Sequence, residues 1–174
     1  MAGISEGEMP FHAGEVEMHD RLRVPDSYNP TTPHLSPHAG YILQRAPLIA
    51  LGTLDDQGRP WSSVWGGELE FEWSFAQSII GLQTTVGKYD PVLNAILKGY
   101  LNGEVASENA TSGKMVSALA IDLENRKRIK LFGRLIAASF TNPEEQAGPV
   151  KLFVQIDQSL GKSSHVFERQ RAVN

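Results

Sequence analysis

The chain has 174 residues, 41% hydrophobic and 21% charged, with a formal net charge of −4 and no cysteine. That length and balance predict one globular domain with a buried core, and the acidity argues against a general binder of nucleic acid or anionic membrane. Without cysteine there is no disulfide, thiolate nucleophile or Cys-ligated metal; no apolar run approaches the ~20 residues that span a bilayer, and the N-terminus carries acid where a signal peptide carries base, so a cytoplasmic location is expected.

Residues 1–46 read as an N-terminal extension with short helices, packing on a barrel domain of residues 47–174, the whole forming one structural unit. A helix is predicted over Gly14–Val24, stopped by Pro25, and Asn29–Pro33 cannot be regular structure. Ser36-Pro37 is a helix start, with serine as cap and proline at the first helical position, and that helix ends before Pro47.

From Leu48 the pattern changes to that of strands. Leu48–Leu54 is apolar and runs into Asp55-Asp56-Gln57-Gly58, a hairpin turn signal that returns Trp61–Trp65 as partner. Glu68–Trp73 alternates acid with apolar residues, Ser78–Gln83 is a further short strand, and Asp90-Pro91 caps a helix with Val92, Leu93, Ile96, Leu97 and Tyr100 at helical spacing. Strands follow at Met115–Leu123, Ile129–Ala137 and, after a loop holding Pro143 and Pro149, Val150–Ile156. The tail Ser163–Arg171 reads as helical or frayed. Helices do not alternate with strands as a parallel sheet requires. The expectation is a mainly β fold, a small antiparallel barrel with a few peripheral helices, whose edges dimerisation would cover.

Five of the 16 Lys and Arg fall between Ala118 and Ile136: Arg126, Lys127, Arg128, Lys130 and Arg134. In an acidic chain such a cluster is either an anion site or a solvated hairpin tip. Extended alternation would put Arg126, Arg128 and Lys130 on one face, with Lys127 and Ile129 on the other. Three bases on one face suit a phosphate, or the adenylate end of a dinucleotide.

Gln83-Thr84-Thr85-Val86-Gly87-Lys88 superficially suggests a P-loop, but Gly81 to Gly87 is one residue too long and Tyr89 stands where a hydroxyl must reach magnesium. His34 and His38 have prolines between them and no carboxylate at metalloprotease spacing, so no metal site is expected. His12, with Glu15 nearby, reads as an N-terminal clasp before it reads as a base. Glu68, Glu70 and Glu72 read as an exposed acidic edge, and Asn109-Ala-Thr111 matches a glycosylation sequon by pattern only.

Four segments in order carry a resemblance: Phe11-His12-Ala13-Gly14-Glu15, Gly52–Val64, Ile121–Arg134 and Gln158-Ser159-Leu160-Gly161. Together they resemble the pyridoxamine 5′-phosphate oxidase-like FMN-binding split-barrel family. The resemblance implies a Greek-key-like split β-barrel and a homodimer with FMN at its interface. It further implies an FMN-dependent oxidoreductase acting on a small molecule. Trp61, Ser62, Ser63 and Val64 would run along the flavin ring. Gln83, Thr84, Thr85 and Lys88 would reach the phosphate, as would Arg126, Arg128 and Lys130. The position at which the family carries a phosphate-binding base on the second strand is Ser63 here, and Lys162–Val166 departs from the family pattern. Two other readings keep the barrel: a binding protein without redox activity, in which His12, His34, His38 or His165 could ligate haem, and a flavin-independent biosynthetic enzyme.

Overall fold

The computed structural model describes residues 9–25, 27–67, 72–76, 78–97, 106–107, 113–141 and 144–161, with 72–76 and 106–107 as backbone. Asp55 accounts for the first hairpin. Its carboxylate accepts the backbone N–H groups of Gln57 (2.9 Å) and Arg59 (3.0 Å), the Arg59 Nε (2.7 Å) and the Trp61 indole N–H (3.0 Å). Gly58 takes φ +74°, a conformation open to glycine at no steric cost. The turn sets β1 (Leu48–Leu54) antiparallel to β2 (Pro60–Gly66), with Leu48 opposite Gly66 and Leu54 opposite Pro60, as the sequence predicts.

The remaining elements are α1 (Ala13–Leu22), α2 (Pro37–Arg45), β3 (Glu72–Ala76), β4 (Ile79–Gly87), α3 (Pro91–Leu97), β5 (Ala106–Ser107), β6 (Met115–Asp122), β7 (Lys127–Phe140) and β8 (Ala147–Gly161). All strands pair antiparallel in the order β2-β1-β6-β7-β8-β4-β3, with β5 on β7. The sheet curls until β2 meets β4, where Thr84 Oγ1 donates to the Gly66 carbonyl at 2.5 Å. Among the described residues no ladder joins β2 to β4 or β3, so the barrel has an open seam. This is the expected mainly β, antiparallel split-barrel architecture.

Two bulges produce the curl. Between Phe132 and Gly133 the register steps past Asp157 of β8, and between Leu135 and Ala137 it steps past Ile136 of β7. Each extra residue bends its strand and increases the local twist. Gly133 sits at the first step, where a Cβ would lie 2.1 Å from the Gln155 carbonyl oxygen.

Strand alternation fills the interior with Ile49, Leu51, Ile80, Leu82, Ile129 and Leu135, all almost wholly buried. Ile42 and Leu43 of α2 and Val92, Leu93, Ile96 and Leu97 of α3 join the same core. Each large side chain so buried contributes about 1.5–3 kcal/mol. Both helices begin as predicted: Ser36 Oγ accepts from Ala39 N (3.2 Å), and Asp90 Oδ1 accepts from Val92 N and Leu93 N (both 2.9 Å). By contrast α1 buries none of its residues.

Three expectations change. β7 and β8 run well past their predicted ends, because the two bulges let long strands bend around the core. Pro149 lies inside β8 instead of in a loop; it stands opposite Thr85 of β4, before the β7 pairing begins at Val150, near the strand start where a missing N–H is tolerated. Arg126 belongs to the turn between β6 and β7 with φ +54°, so strand alternation does not reach it. Glu68, Glu70, Tyr100, Asn109, Pro143 and the tail Ser163–Arg171 lie outside the described residues.

The β6–β7 turn is held by Asp122, only 2% exposed. Its carboxylate accepts from the Asn125 side chain (2.8 Å) and backbone N–H (3.1 Å), which hold its carboxyl below the usual range, with Arg45 adding a favourable charge. A depressed carboxyl pKa stabilises the fold above the unfolded value of about 3.9 and loses that contribution as pH falls through the folded value. Urea midpoints measured downward from pH 5 should therefore decline, and Asn125→Ala should make that decline shallower. Gly133→Ala should cost about 1–3 kcal/mol of stability, read as a lower urea midpoint at unchanged m-value.

Candidate functional site on the outer sheet face

Alternation that sends one side chain inward sends the next outward, and the outward set of β1, β2, β6 and β7 is mostly apolar. The pairing registers align it in rows: Leu48, Ile121 and Arg128; Val64, Ala50, Leu119 and Lys130; Ser62, Gly52, Ser117 and Phe132. Val64 is 64% exposed, Met115 44% and Leu54 39%. An apolar sheet face of this kind is the mark of a surface that something covers.

On it lies an open depression of about 570 Å³, lined among others by Leu54, Ser62, Met115, Ser117 and Phe132, with Gly52 within it. Glycine at 52 keeps the two strands close: a Cβ there would meet Ser117 Oγ at 2.7 Å. Ser117 Oγ donates to the Gly52 carbonyl at 3.3 Å. Lys130 follows Phe132 on the same face, about 7 Å along the strand. Arg128 and Lys130 are exposed and have no ion pair or hydrogen bond among the described residues. Arg134 is different, since its Nε pairs with Asp157 at 3.2 Å. The face thus combines an apolar floor, two hydroxyls and a pair of uncompensated cations at one side.

The other predicted site residues divide between two places. Trp61, Ser63 and Trp65 alternate to the opposite face from Ser62 and Val64, although Trp61 still borders the depression. Trp61 donates its indole N–H to Asp55, and that bond leads the set holding the Asp55 carboxyl well below the usual carboxylate range. Ser63 Oγ donates to Asp90 Oδ2, which also accepts from Trp65 Nε1 at 3.2 Å. Ser63 is therefore a brace between β2 and the cap of α3. Thr84 is used at the seam, while Gln83 and Thr85 are exposed on β4. Lys88 follows β4, with its Nζ 5.2 Å from the Tyr89 ring centre.

Lys88 does not meet the cations of β7. Gly87 pairs with Ala147 at the start of β8 and Lys130 with Leu160 near its end, a separation on the order of 40 Å along extended strand. One protomer does not bring Lys88, Arg128 and Lys130 together. Arg126 stays in the turn, and Lys127 points toward α2, its Nζ 5.9 Å from the Tyr41 ring centre.

His12 is the N-cap of α1: its Nδ1 accepts from Gly14 N (3.1 Å) while Glu15 accepts from His12 N (2.9 Å). The His34 carbonyl accepts from Thr32 Oγ1 and Ser159 Oγ, and His38 Nε2 is buried without a partner among the described residues. His165 lies outside the described residues, and among these no cluster of three metal-ligating side chains occurs. No described helix is long and apolar enough to cross a membrane. Sequence reasoning missed Met115, Ser117 and Phe132, whose only signal is the pairing register. It also missed Tyr41 and Arg45, which adjoin the basic hairpin only through tertiary packing.

No family model and no curated protein matches the chain. Solved structures do. The HupZ protein of Group A Streptococcus is similar at 9% identity and TM-score 0.46, over 75% of this chain and 95% of that one. A pyridoxamine 5′-phosphate oxidase-related, FMN-binding protein of Nostoc punctiforme PCC 73102 is similar at 11% identity and TM-score 0.42, over 72% and 83%. An F420 reductase is similar at 14% identity and TM-score 0.42, over 68% and 93%. In its ordered sequence segments and its open-seamed antiparallel barrel, the chain resembles the pyridoxamine 5′-phosphate oxidase-like split-barrel proteins, and the resemblance is one of fold.

Proposed function

We propose that the chain is a cytoplasmic, homodimeric, FMN-binding oxidoreductase acting on a small molecule, with the flavin on the outer face of β1, β2, β6 and β7. The observation that carries this reading is the apolar, hydroxyl-bearing depression one row away from the uncompensated pair Arg128 and Lys130. A flat, largely apolar ring with polar edges suits a floor of Gly52 and Phe132 with Ser62 and Ser117 beside it. A phosphate monoester suits two free cations, because charge-assisted hydrogen bonds are roughly twice as strong as neutral ones. The absence of a base at Ser63 is consistent with a phosphate held from β7 instead of β2.

The flavin, when bound, supplies the hydride chemistry, and the protein supplies position and access. Ser62 and Ser117 offer hydroxyls to the ring edge. Val64, Leu119 and Ile121 keep water from its surroundings. Exposed apolar side chains on this scale favour a second copy of the chain as cover, which would also shut the depression off from solvent.

Purified protein should be yellow or become so with FMN, and saturation at 100 times the dissociation constant should stabilise it by about 2.7 kcal/mol in a thermal-shift assay. A colourless protein indifferent to FMN, or one with a haem absorption band, would sink the reading. Arg128→Ala and Lys130→Ala should each weaken FMN by about 10- to 100-fold, at 1.5–3 kcal/mol for a charged hydrogen bond, and leave riboflavin binding nearly unchanged. Val64→Asp should convert a dimer seen by sedimentation into a monomer and reduce flavin affinity with it.

A further inference from the structure

The five bases between β6 and β7 do not form one patch. Arg128 and Lys130 project from the outer face, whereas Lys127 turns to the other side and meets α2. There Lys127 Nζ lies 5.9 Å and Arg45 Cζ 5.6 Å from the centre of one ring, that of Tyr41. Tyr41 is itself 50% exposed. Two like charges are thus gathered on a single accessible aromatic side chain.

The ring's negative face offsets part of their repulsion. The Asp122 carboxylate, on the strand paired with Lys127, does little more. Asp122 is buried, and both of its oxygens accept from Asn125. It stands opposite Lys127 in the β6–β7 ladder, and Arg45 also acts on it, so two cations face one carboxylate whose oxygens are already engaged. Neither Lys127 nor Arg45 has a hydrogen bond or ion pair among the described residues. Arg126, in the adjoining turn, adds a further positive charge, with Glu124 as the one exposed acid of that turn.

We propose that Tyr41, Arg45 and Lys127 form a second anion site, on the α2 side of the β6–β7 hairpin, which takes the phosphate of a nucleotide. A phosphate between the two cations removes their repulsion and accepts charge-assisted hydrogen bonds from both. The exposed tyrosine gives the base an aromatic partner, which inorganic phosphate or a sugar phosphate cannot use. The site is separate from Arg128 and Lys130 and does not depend on the flavin reading. It would let the protein hold a nucleotide co-substrate while the outer face is covered.

The test is calorimetric titration of the full-length protein at low salt with adenosine 5′-monophosphate, ribose 5-phosphate, adenosine and sulfate. Adenosine 5′-monophosphate should bind most tightly, and Lys127→Ala should weaken it by about tenfold, the scale of one charge-assisted bond. Tyr41→Leu should bring it down to the level of ribose 5-phosphate. Arg128→Ala should leave it unchanged. Because Arg45 also acts on buried Asp122, Arg45→Ala can unsettle the fold; exposed Lys127, checked by circular dichroism and by Lys127→Gln, carries the test. Sulfate binding as tightly as the nucleotide, unchanged affinity in Lys127→Ala, or loss in Arg128→Ala would each overturn the proposal. Loss in Arg128→Ala would instead place the nucleotide phosphate on the outer face, whereas the other outcomes do not bear on whether FMN binds there.

Discussion

Ile49, Leu51, Ala118, Ala120, Ile129 and Leu131 fill the barrel only because each is separated from the next by one residue that must point outward. Period-two geometry allows no other arrangement, and a slip of one residue in any of these strands would exchange the two faces. In β1 and β6 the outward residues are, apart from Ser117, themselves apolar, so the same constraint that builds the core also produces an uncovered apolar face. The turns defend this register. Asp55 fixes β1 against β2, and Asp122 fixes β6 against β7, each by accepting several N–H groups at the point where the chain reverses.

A second support joins strands to helices. Asp90 caps α3 with one oxygen and holds Ser63 and Trp65 of β2 with the other. β2 is an edge strand, laddered only to β1 among the described residues, so this carboxylate ties down an edge that backbone pairing leaves half free. The polar residue that looked like a vacancy for phosphate binding, Ser63, is therefore occupied in holding the architecture. The exposed cations Arg128 and Lys130, without a partner among the described residues, lie three strands away on β7.

Much of the architecture was legible in the sequence because its signals are local. The Asp-Asp-Gln-Gly turn, the Ser36-Pro37 and Asp90-Pro91 helix starts and the apolar alternation of β1 and β6 each express the physics of a few adjacent residues. The length of β7 and β8 was not legible, since it depends on bulges whose cause is the curvature of the whole sheet. The site was legible in composition but not in arrangement. Arg128 and Lys130 do share a face, yet Arg126 leaves it because the turn requires a positive φ. Lys88 stands at the far end of β8, a distance only the pairing register reveals. Ser117 and Phe132 carried no signal of their own, joining the row of Ser62 through two and three successive ladders.

The link between the N-terminal segment and the barrel is of a different order from the rest. Thr32 makes a single antiparallel bridge with Ser159, reinforced by their hydroxyls and the His34 carbonyl, on the stretch of β8 that continues past the end of β4. Among the described residues before it, α1 included, none is buried. Segments with so little buried surface open independently of the global transition. The amide protons of α1 therefore exchange with solvent on a timescale set by local fraying, whereas those beyond Thr32 report the barrel. The bridge is the boundary between two stability regimes, and the side chains of α1 lie outside the core that holds the sheet together.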